Sequence, residues 1–455
     1  MIVLEGVERK PSISRRIGDF AHSQPAAVWV TGVTLLAFLI RFIVVCCAFR
    51  GVADPFNAHA EFGYEMGWTA RCIFLGHGFS GPFQAITGPT ALVPPLYPYL
   101  LAGIFKLFGL YTPLAAFVTL LLNAIFSALT CIPVYGAARD ASGDRLARWA
   151  ALGWAVYPFA IYFSAARVWD YALTSLLFAC LFWWAMRLHR SVGVAPWLLF
   201  GLVFGVTALS NPSVASILPF LLLIAVHRAR QIGVPSFKRA LVAFATFALT
   251  ILPWTIRNQR VLHMTTPLRD GFWLELYAGN IGDPTDSNSP YAHPASNPAE
   301  LALYQQLGEP AYMAQKQSLA LTAIRHHKLR FLDASARRFI RFWTGYWSFS
   351  PSYLQREPFD IPNVPFCTTL SLFLFAGLIA WGRNHRHTLA PFALLVAVFP
   401  IPYYLTHASM DYRQPVEPEL AILVTAGMLA VRDRVRAQAS EPLELSANDL
   451  DLVPS

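Results

Sequence analysis

The sequence is short of charge. Asp, Glu, Lys and Arg make up 13% of its 455 residues, against roughly 25% in a soluble globular chain. That deficit excludes an ordinary water-soluble enzyme. A disordered chain is excluded as well, because disorder goes with high charge and few aromatics, and here there are 34 Phe, 17 Tyr and 13 Trp. Gly-rich phosphate loops and dinucleotide-binding fingerprints are missing from the sequence, which argues against a nucleotide-driven pump. The cysteines Cys46, Cys47, Cys72, Cys131, Cys180 and Cys367 show neither metal-ligand spacing nor a secreted disulfide pattern. Most lie in apolar runs, where cysteine acts as a small hydrophobe. No internal repeat is visible.

What is present is apolar surface: 55% of residues are apolar or aromatic, with a mean hydropathy of +0.45. A bilayer-crossing helix needs about 20 such residues. Ten stretches qualify or come close: 27–49, 114–135, 149–163, 171–186, 197–209, 214–226, 241–254, 368–381, 388–405 and 418–431. A further run, 96–110, is amphipathic with Lys106 and is expected at the membrane surface. The fold class expected is an all-α polytopic membrane protein of about 10–13 transmembrane helices, with surface helices in its first outer loop and a long helical outer segment.

The net charge of +9 fits the excess of Lys and Arg in cytoplasmic loops and calls for no nucleic acid. Arg9, Lys10, Arg15 and Arg16 precede the first span without a small-residue cleavage site, as in a signal anchor. Arg50, Arg71, Lys106, Arg167 and Arg413 alone fall in the short outer segments. Both termini are therefore expected in the cytoplasm, and the short loops point to a bacterial inner membrane. The organisation reads as a cytoplasmic segment (1–26), a transmembrane module (27–256) holding the first outer loop (50–112), an outer segment (257–365), C-terminal spans (366–432) and a polar, disordered tail (433–455).

Five outer stretches stand out. In the first loop, Glu61, Tyr64, Glu65 and Trp68 have i, i+3, i+4, i+7 spacing, which puts them on one face of a helix. Phe62, Met66, Thr69 and Ile73 lie on another face, suited to a membrane surface. Pro94-Pro95-Leu96-Tyr97 leads into Leu107-Phe108-Gly109. Arg167-Val168-Trp169-Asp170 forms a short charged loop, and Asp411-Tyr412-Arg413-Gln414-Pro415-Val416-Glu417-Pro418 opens the last span. Around 325–347, Phe331, Leu332, Phe339, Ile340 and Trp343 alternate with Arg330, Arg337, Arg338 and Arg341. That pattern suits either a lipid surface or a solvated helix with snorkelling arginines.

In this order and topology the first four of these stretches resemble the GT-C superfamily of membrane glycosyltransferases, and are similar to the protein mannosyltransferase type and to lipid A aminoarabinose transferases. Two departures stand in the motifs: Ala60 precedes Glu61 where relatives often carry Asp-Glu, and Val93 stands where they often carry Lys. The resemblance implies an enzyme that moves a sugar from a polyprenyl-phosphate donor to a lipid, glycan or protein acceptor at the outer face, with inversion.

Such transfer needs a carboxylate base and cations on the departing phosphate, both at headgroup depth. Glu61 is the expected base, with Asp54 as competitor, Glu65 in support and Asp170 orienting acceptor or base, or else capping the span after it. His59, Tyr64, Tyr97, Arg167, Arg257, Tyr412 and Arg413 are the candidates for phosphate and substrate. Arg269 is expected in a loop ion pair with Asp270, Arg41 in a structural ion pair within the first span, and Asn211-Pro212 in a tight outer turn. No cofactor is indicated by residue spacing; some superfamily members bind divalent ions. Two rival readings remain. A secondary transporter would show paired, interrupted half-helices in two related halves, which the sequence lacks. A lipid-linked oligosaccharide ligase or polymerase would share the outer-face architecture.

Overall fold

The computed structural model describes residues 24–57, 59–281, 292–384 and 386–440. The N-terminal anchor motif lies outside them. Helices make up the regular structure of the described residues, and no strand occurs among them. Among the described residues seven helices are long and apolar enough to cross a membrane: Ala26–Val52, Pro113–Ser142, Tyr171–Leu188, Pro212–Gln231, Phe237–Leu262, Asp360–Arg383 and Thr388–Leu405. The chain is an all-α, multi-pass membrane protein.

The other three expected crossings differ for local reasons. Stretch 149–163 is broken into Asp144–Val156 and Pro158–Ala165, because Pro158 has no N–H to continue the ladder. Stretch 197–209 is the 16-residue helix Ala195–Ser210. Stretch 418–431 belongs to Glu417–Ser440, whose first turn is acidic. That last helix also runs beyond residue 432, where the tail was expected to be disordered. Arg145 holds it by two bonds to the Asp433 carboxylate, at 2.6 and 2.8 Å. Residues 441–455 are outside the described set.

Spans pack closely where side chains vanish. A Cβ on Gly377 would meet the Leu423 carbonyl, and one on Gly427 the Phe373 carbonyl. Backbones of helices Asp360–Asn384 and Glu417–Ser440 thus touch directly, as small residues allow in lipid.

Arg41 is fully buried in the first span, and its partners are not acidic. It donates to Ser127 Oγ (2.9 Å) and to the carbonyls of Ala37 (3.1 Å), Ala155 (2.8 Å) and Trp154 (3.2 Å). The expected ion pair is replaced by a cap. Trp154 and Ala155 lie in the last turn of the broken helix; Pro158 cannot donate to the Trp154 carbonyl, which keeps only the Tyr157 N–H at 3.3 Å. A guanidinium, with five donors in a fixed fork, supplies donors there inside the membrane.

Two long segments pack together at one end of the bundle. In the first loop the helix Tyr64–Phe74 lies on the helix Leu96–Phe108, with Phe62 against Phe105 at 5.2 Å. Phe62, Met66 and Thr69 are buried there, so that face meets protein and not the expected membrane surface. The outer segment joins this loop through a small core of Phe83, Leu92, Leu274, Tyr304, Tyr312 and Met313. In helix Lys328–Thr344 the pattern is inverted relative to a snorkelling surface helix: Arg338 and Arg341 are buried, while Leu329, Leu332, Phe339 and Ile340 are exposed.

Arg41→Met is expected to lower thermal stability in detergent by the equivalent of about 1–3 kcal/mol for each buried carbonyl left unpaired. An unchanged melting temperature would show that the cap is dispensable.

Candidate active site

Between the two long segments and the span ends lies a cavity of about 740 Å³. Tyr64, Glu65 and Met66 line it from the first-loop helix, and Leu92, Val93 and Pro94 from the loop before Leu96–Phe108. Trp169, Asp170 and Tyr171 contribute from the short charged loop, and Asn211–Ser213 from the turn between spans. The outer segment adds Arg269, Glu275, His293, Arg356 and Glu357, and the last spans add Tyr403, His407 and Tyr412.

The sequence-predicted residues divide at this wall. Glu65, Asp170, Tyr64 and Tyr412 line the cavity; Glu61, His59, Tyr97, Arg167, Arg257 and Arg413 do not. Glu61 and Glu65 do not share a helical face. Glu61 lies in a separate one-turn helix, Ala60–Phe62, and Gly63 between them has φ 100°. That left-handed conformation suits glycine alone. Its missing side chain also lets the Val168 carbonyl approach, since a Cβ on Gly63 would lie 3.0 Å from that oxygen. The turn sends Glu61 to an ion pair with Arg167, with its side chain 37% exposed, and Glu65 into the cavity.

The expected cations are largely committed elsewhere. Arg257 donates to the carbonyls of Thr90 (2.6 Å) and Phe79 (2.8 Å), pinning the first loop. Arg413 is buried and makes a two-pronged pair with Glu417 at 2.9 and 3.0 Å. Arg167 holds Glu61 and lies over the Tyr64 ring. Tyr97 is buried and bonded to Asn123, and His59 stacks on Tyr111 at 4.0 Å. Arg269 has no hydrogen bond and no ion pair among the described residues, so the expected pair with Asp270 is not made. Its guanidinium is exposed and lines the cavity.

The carboxylates differ in environment. The Glu65 side chain is 16% exposed, and its one ion-pair contact among the described residues is His293 Nε2 at 3.9 Å, too long for a hydrogen bond. Burial raises its pKa, with His293 and Arg269 opposing. Asp170 is fully buried. Its Oδ2 accepts from Thr174 Oγ1 (2.8 Å) and Asn211 Nδ2 (3.0 Å) while Oδ1 has no partner. Burial pushes it up to about 6. It bonds a side-chain hydroxyl, not the helix N–H groups a cap would serve. Glu275 behaves in the opposite way: although burial opposes ionisation, His407 Nδ1 at 2.9 Å holds it down to about 2. Tyr412 Oη in turn lies 2.5 Å from His407 Nε2, and Tyr171 donates to Asp411 at 2.6 Å.

Sequence reasoning missed Arg269, Glu275, His293 and His407 as a set. Three lie in the long outer segment, where no periodicity marks them, and His407 carried no signal beyond lying four residues before Asp411. Asn211 was read as a turn residue. It does form the turn, accepting from Ser213 N at 3.2 Å, and it also holds Asp170. No group of three His, Cys, Asp or Glu side chains among the described residues is placed to hold a metal ion.

A family model, dolichyl-phosphate-mannose-protein mannosyltransferase, matches residues 92–256. No curated protein matches by sequence. Among solved structures, the chain is similar to the Archaeoglobus fulgidus oligosaccharyltransferase AglB in complex with an inhibitory peptide and a dolichol-phosphate. Identity is 15%, TM-score 0.50, with 94% of this chain and 52% of that chain covered. The same archaeal enzyme tethered to an acceptor peptide matches at 14% identity and TM-score 0.53, over 90% of this chain and 50% of the other. ArnT from Cupriavidus metallidurans bound to undecaprenyl phosphate matches at 15% identity and TM-score 0.38, over 92% and 81%. The chain spans about half the length of the oligosaccharyltransferase structures it matches. The family model and the shared fold bear out the resemblance to the GT-C membrane glycosyltransferases.

Because His407 depresses the Glu275 pKa, the stability this pair contributes is complete above the ordinary value of 4.5 and is lost as pH falls toward about 2. The melting-temperature gap between the wild type and His407→Gln is therefore expected to narrow below pH 4.5. A gap that is constant with pH would dissociate His407 from that ionisation.

Proposed function

We propose that this protein is a membrane glycosyltransferase that takes a sugar from a polyprenyl-phosphate donor and passes it to a lipid, glycan or protein acceptor in the cavity. Both termini lie in the cytoplasm, so the cavity opens on the outer face, and the membrane is a bacterial inner membrane. The observation that carries the reading is a reachable, uncommitted carboxylate, Glu65, and an uncommitted guanidinium, Arg269, on the walls of one cavity at the span ends. The archaeal neighbours support it, one being described with a dolichol-phosphate and another with an acceptor peptide.

Glu65 is the base. A general base works best with a pKa near the operating pH, and burial moves this carboxyl upward. It takes the proton of the acceptor hydroxyl or amine as the nucleophile attacks the anomeric carbon. The bond from that carbon to the phosphate oxygen breaks, and its electron pair leaves with the lipid phosphate. Attack opposite the leaving group inverts the anomeric centre. Arg269 stabilises the charge gathering on the phosphate, its planar fork matching two oxygens. Asp170 sits deeper, held by Thr174 and Asn211, and its free Oδ1 orients an acceptor or sugar hydroxyl. Tyr64 and Tyr412 offer ring faces and phenol groups to the sugar.

Glu65→Gln preserves shape and removes the base. Sugar transfer from a polyprenyl-phosphate donor in membranes is expected to drop by about 10²–10⁴-fold, with expression unchanged, while Glu61→Gln stays within about tenfold of wild type. The reverse ranking would assign the base to Glu61. Arg269→Ala is expected to raise the donor KM by about tenfold or more, consistent with loss of a charge-assisted phosphate contact, and to leave the acceptor KM nearly unchanged. An unaltered donor KM would remove Arg269 from the phosphate.

A further inference from the structure

Away from the reacting groups, one cluster of acids has no role in the mechanism above. Glu309 is 2% exposed and Asp270 4%. Glu309 opens the helix Glu309–His326 and reaches back to the first loop. Its carboxylate accepts from Thr90 Oγ1, from the Ala91 N–H and from Tyr304 Oη, each at 2.5 Å. Asp270 meets the same strip of chain, its N–H donating to the Ala91 carbonyl at 3.1 Å. Neither oxygen of the Asp270 carboxyl has a donor among the described residues. The Glu309 carboxyl lies beside it, at the Ala91 peptide that both residues bond, Glu309 at its N–H and Asp270 at its carbonyl.

Two buried carboxylates in contact repel, and both are costly to ionise away from water. The contact becomes a hydrogen bond only when one of the two carries a proton. The other groups facing the pair are few. Thr90, Tyr304 and the Ala91 N–H are already given to Glu309, Arg257 is bonded to the Thr90 carbonyl, and Arg269 adjoins Asp270 in sequence without an ion pair to it.

We propose that Asp270 and Glu309 form a positioning pair that shares one proton, and that this bond holds residues 90–94 and Arg269 in the walls of the cavity. The placement supports this. Leu92, Val93 and Pro94 line the cavity directly after the clasped Thr90-Ala91, and Arg269 lines it directly before Asp270. The pair therefore ties two walls, from segments far apart in sequence, through a single proton. Asp270 and Glu309 touch no substrate; they act through the chain they hold. Only the activity readout below rests on the sugar-transfer reading.

Burial and the neighbouring acid raise the Asp270 pKa. A carboxyl with a raised folded-state pKa contributes stability that is complete below its ordinary range, about pH 4, and is lost as pH rises through the folded value. Asp270→Asn tests this directly, because the amide supplies at every pH the hydrogen that the proton supplies only when bound. Melting curves of the purified full-length protein in detergent, from about pH 5 to about pH 9, are expected to diverge. The wild type loses stability with rising pH relative to Asp270→Asn, and the variant melts higher at the alkaline end. Glu309→Gln, which sets an amide N–H among three donors, melts lower throughout. If Asp270→Asn does not fold, Asp270→Ser removes the charge and keeps a donor. Parallel curves for the wild type and the neutral variant would overturn the shared proton.

In the activity arm, the ratio of transfer rate at about pH 9 to that at about pH 6.5 is expected to be several-fold higher in Asp270→Asn than in wild type, as loss of the proton at alkaline pH loosens the walls. Divergent melting curves with equal rate ratios would overturn the positioning role. Divergent curves in a protein that transfers no sugar at any pH would support the pair and strike the sugar-transfer reading alone.

Discussion

The site depends on one backbone constraint. Gly63 occupies a left-handed conformation against the Val168 carbonyl. A helix continuing through it would have kept Glu61 and Glu65 one turn apart on a common face. The turn instead starts the helix at Tyr64, leaving Glu61 on the near side with Arg167 and aiming Glu65 into the cavity. The same close approach brings the loop of Trp169 and Asp170 to the opposite wall. Two segments that each carry an acid are thus joined at a point where one of them, at Gly63, has no side chain.

Around that point the polar groups obey a strict economy. Near or within lipid an unpaired guanidinium or carbonyl is costly, and several buried or half-buried arginines are given over to structure. Arg41 caps a broken helix, Arg257 pins the first loop, Arg413 is locked to Glu417, and Arg338 and Arg341 reach carbonyls inside the fold. What remains uncommitted stands out by contrast. Of these groups Arg269, Glu65 and one oxygen of Asp170 meet the same cavity, while the unpaired Asp270 carboxyl lies outside its lining. Groups that the fold leaves unsatisfied are free for chemistry, because the satisfied ones are holding the fold.

The outer segment is what closes the cavity, and it was the part least readable beforehand. Glu275, His293 and His407 reach the site from loops and short helices whose sequence has neither hydrophobic period nor fixed motif spacing. Glu275 and His293 are brought in by packing of Leu274, Tyr304 and Met313 on Phe83 and Leu92, contacts between residues some 200 positions apart, which no local pattern encodes. The span ends were hard to read for a different reason: Pro158 and the acidic start of Glu417–Ser440 divide or shorten apolar runs that composition alone joins together.

The apolar runs, their approximate number and the two long polar-edged segments follow from the sequence itself, because a bilayer demands some 20 apolar residues per crossing and that demand is local. The presence of acids and arginines near span ends is equally local, and so was the resemblance to GT-C enzymes. Which acid is reachable and which arginine is free was decided only by the tertiary structure. Exposure and pairing are properties of partners distant in the chain: Val168 for the turn at Gly63, Glu417 for Arg413, Thr90 for Arg257. A residue's chemistry depends on what is left after those partners have been served.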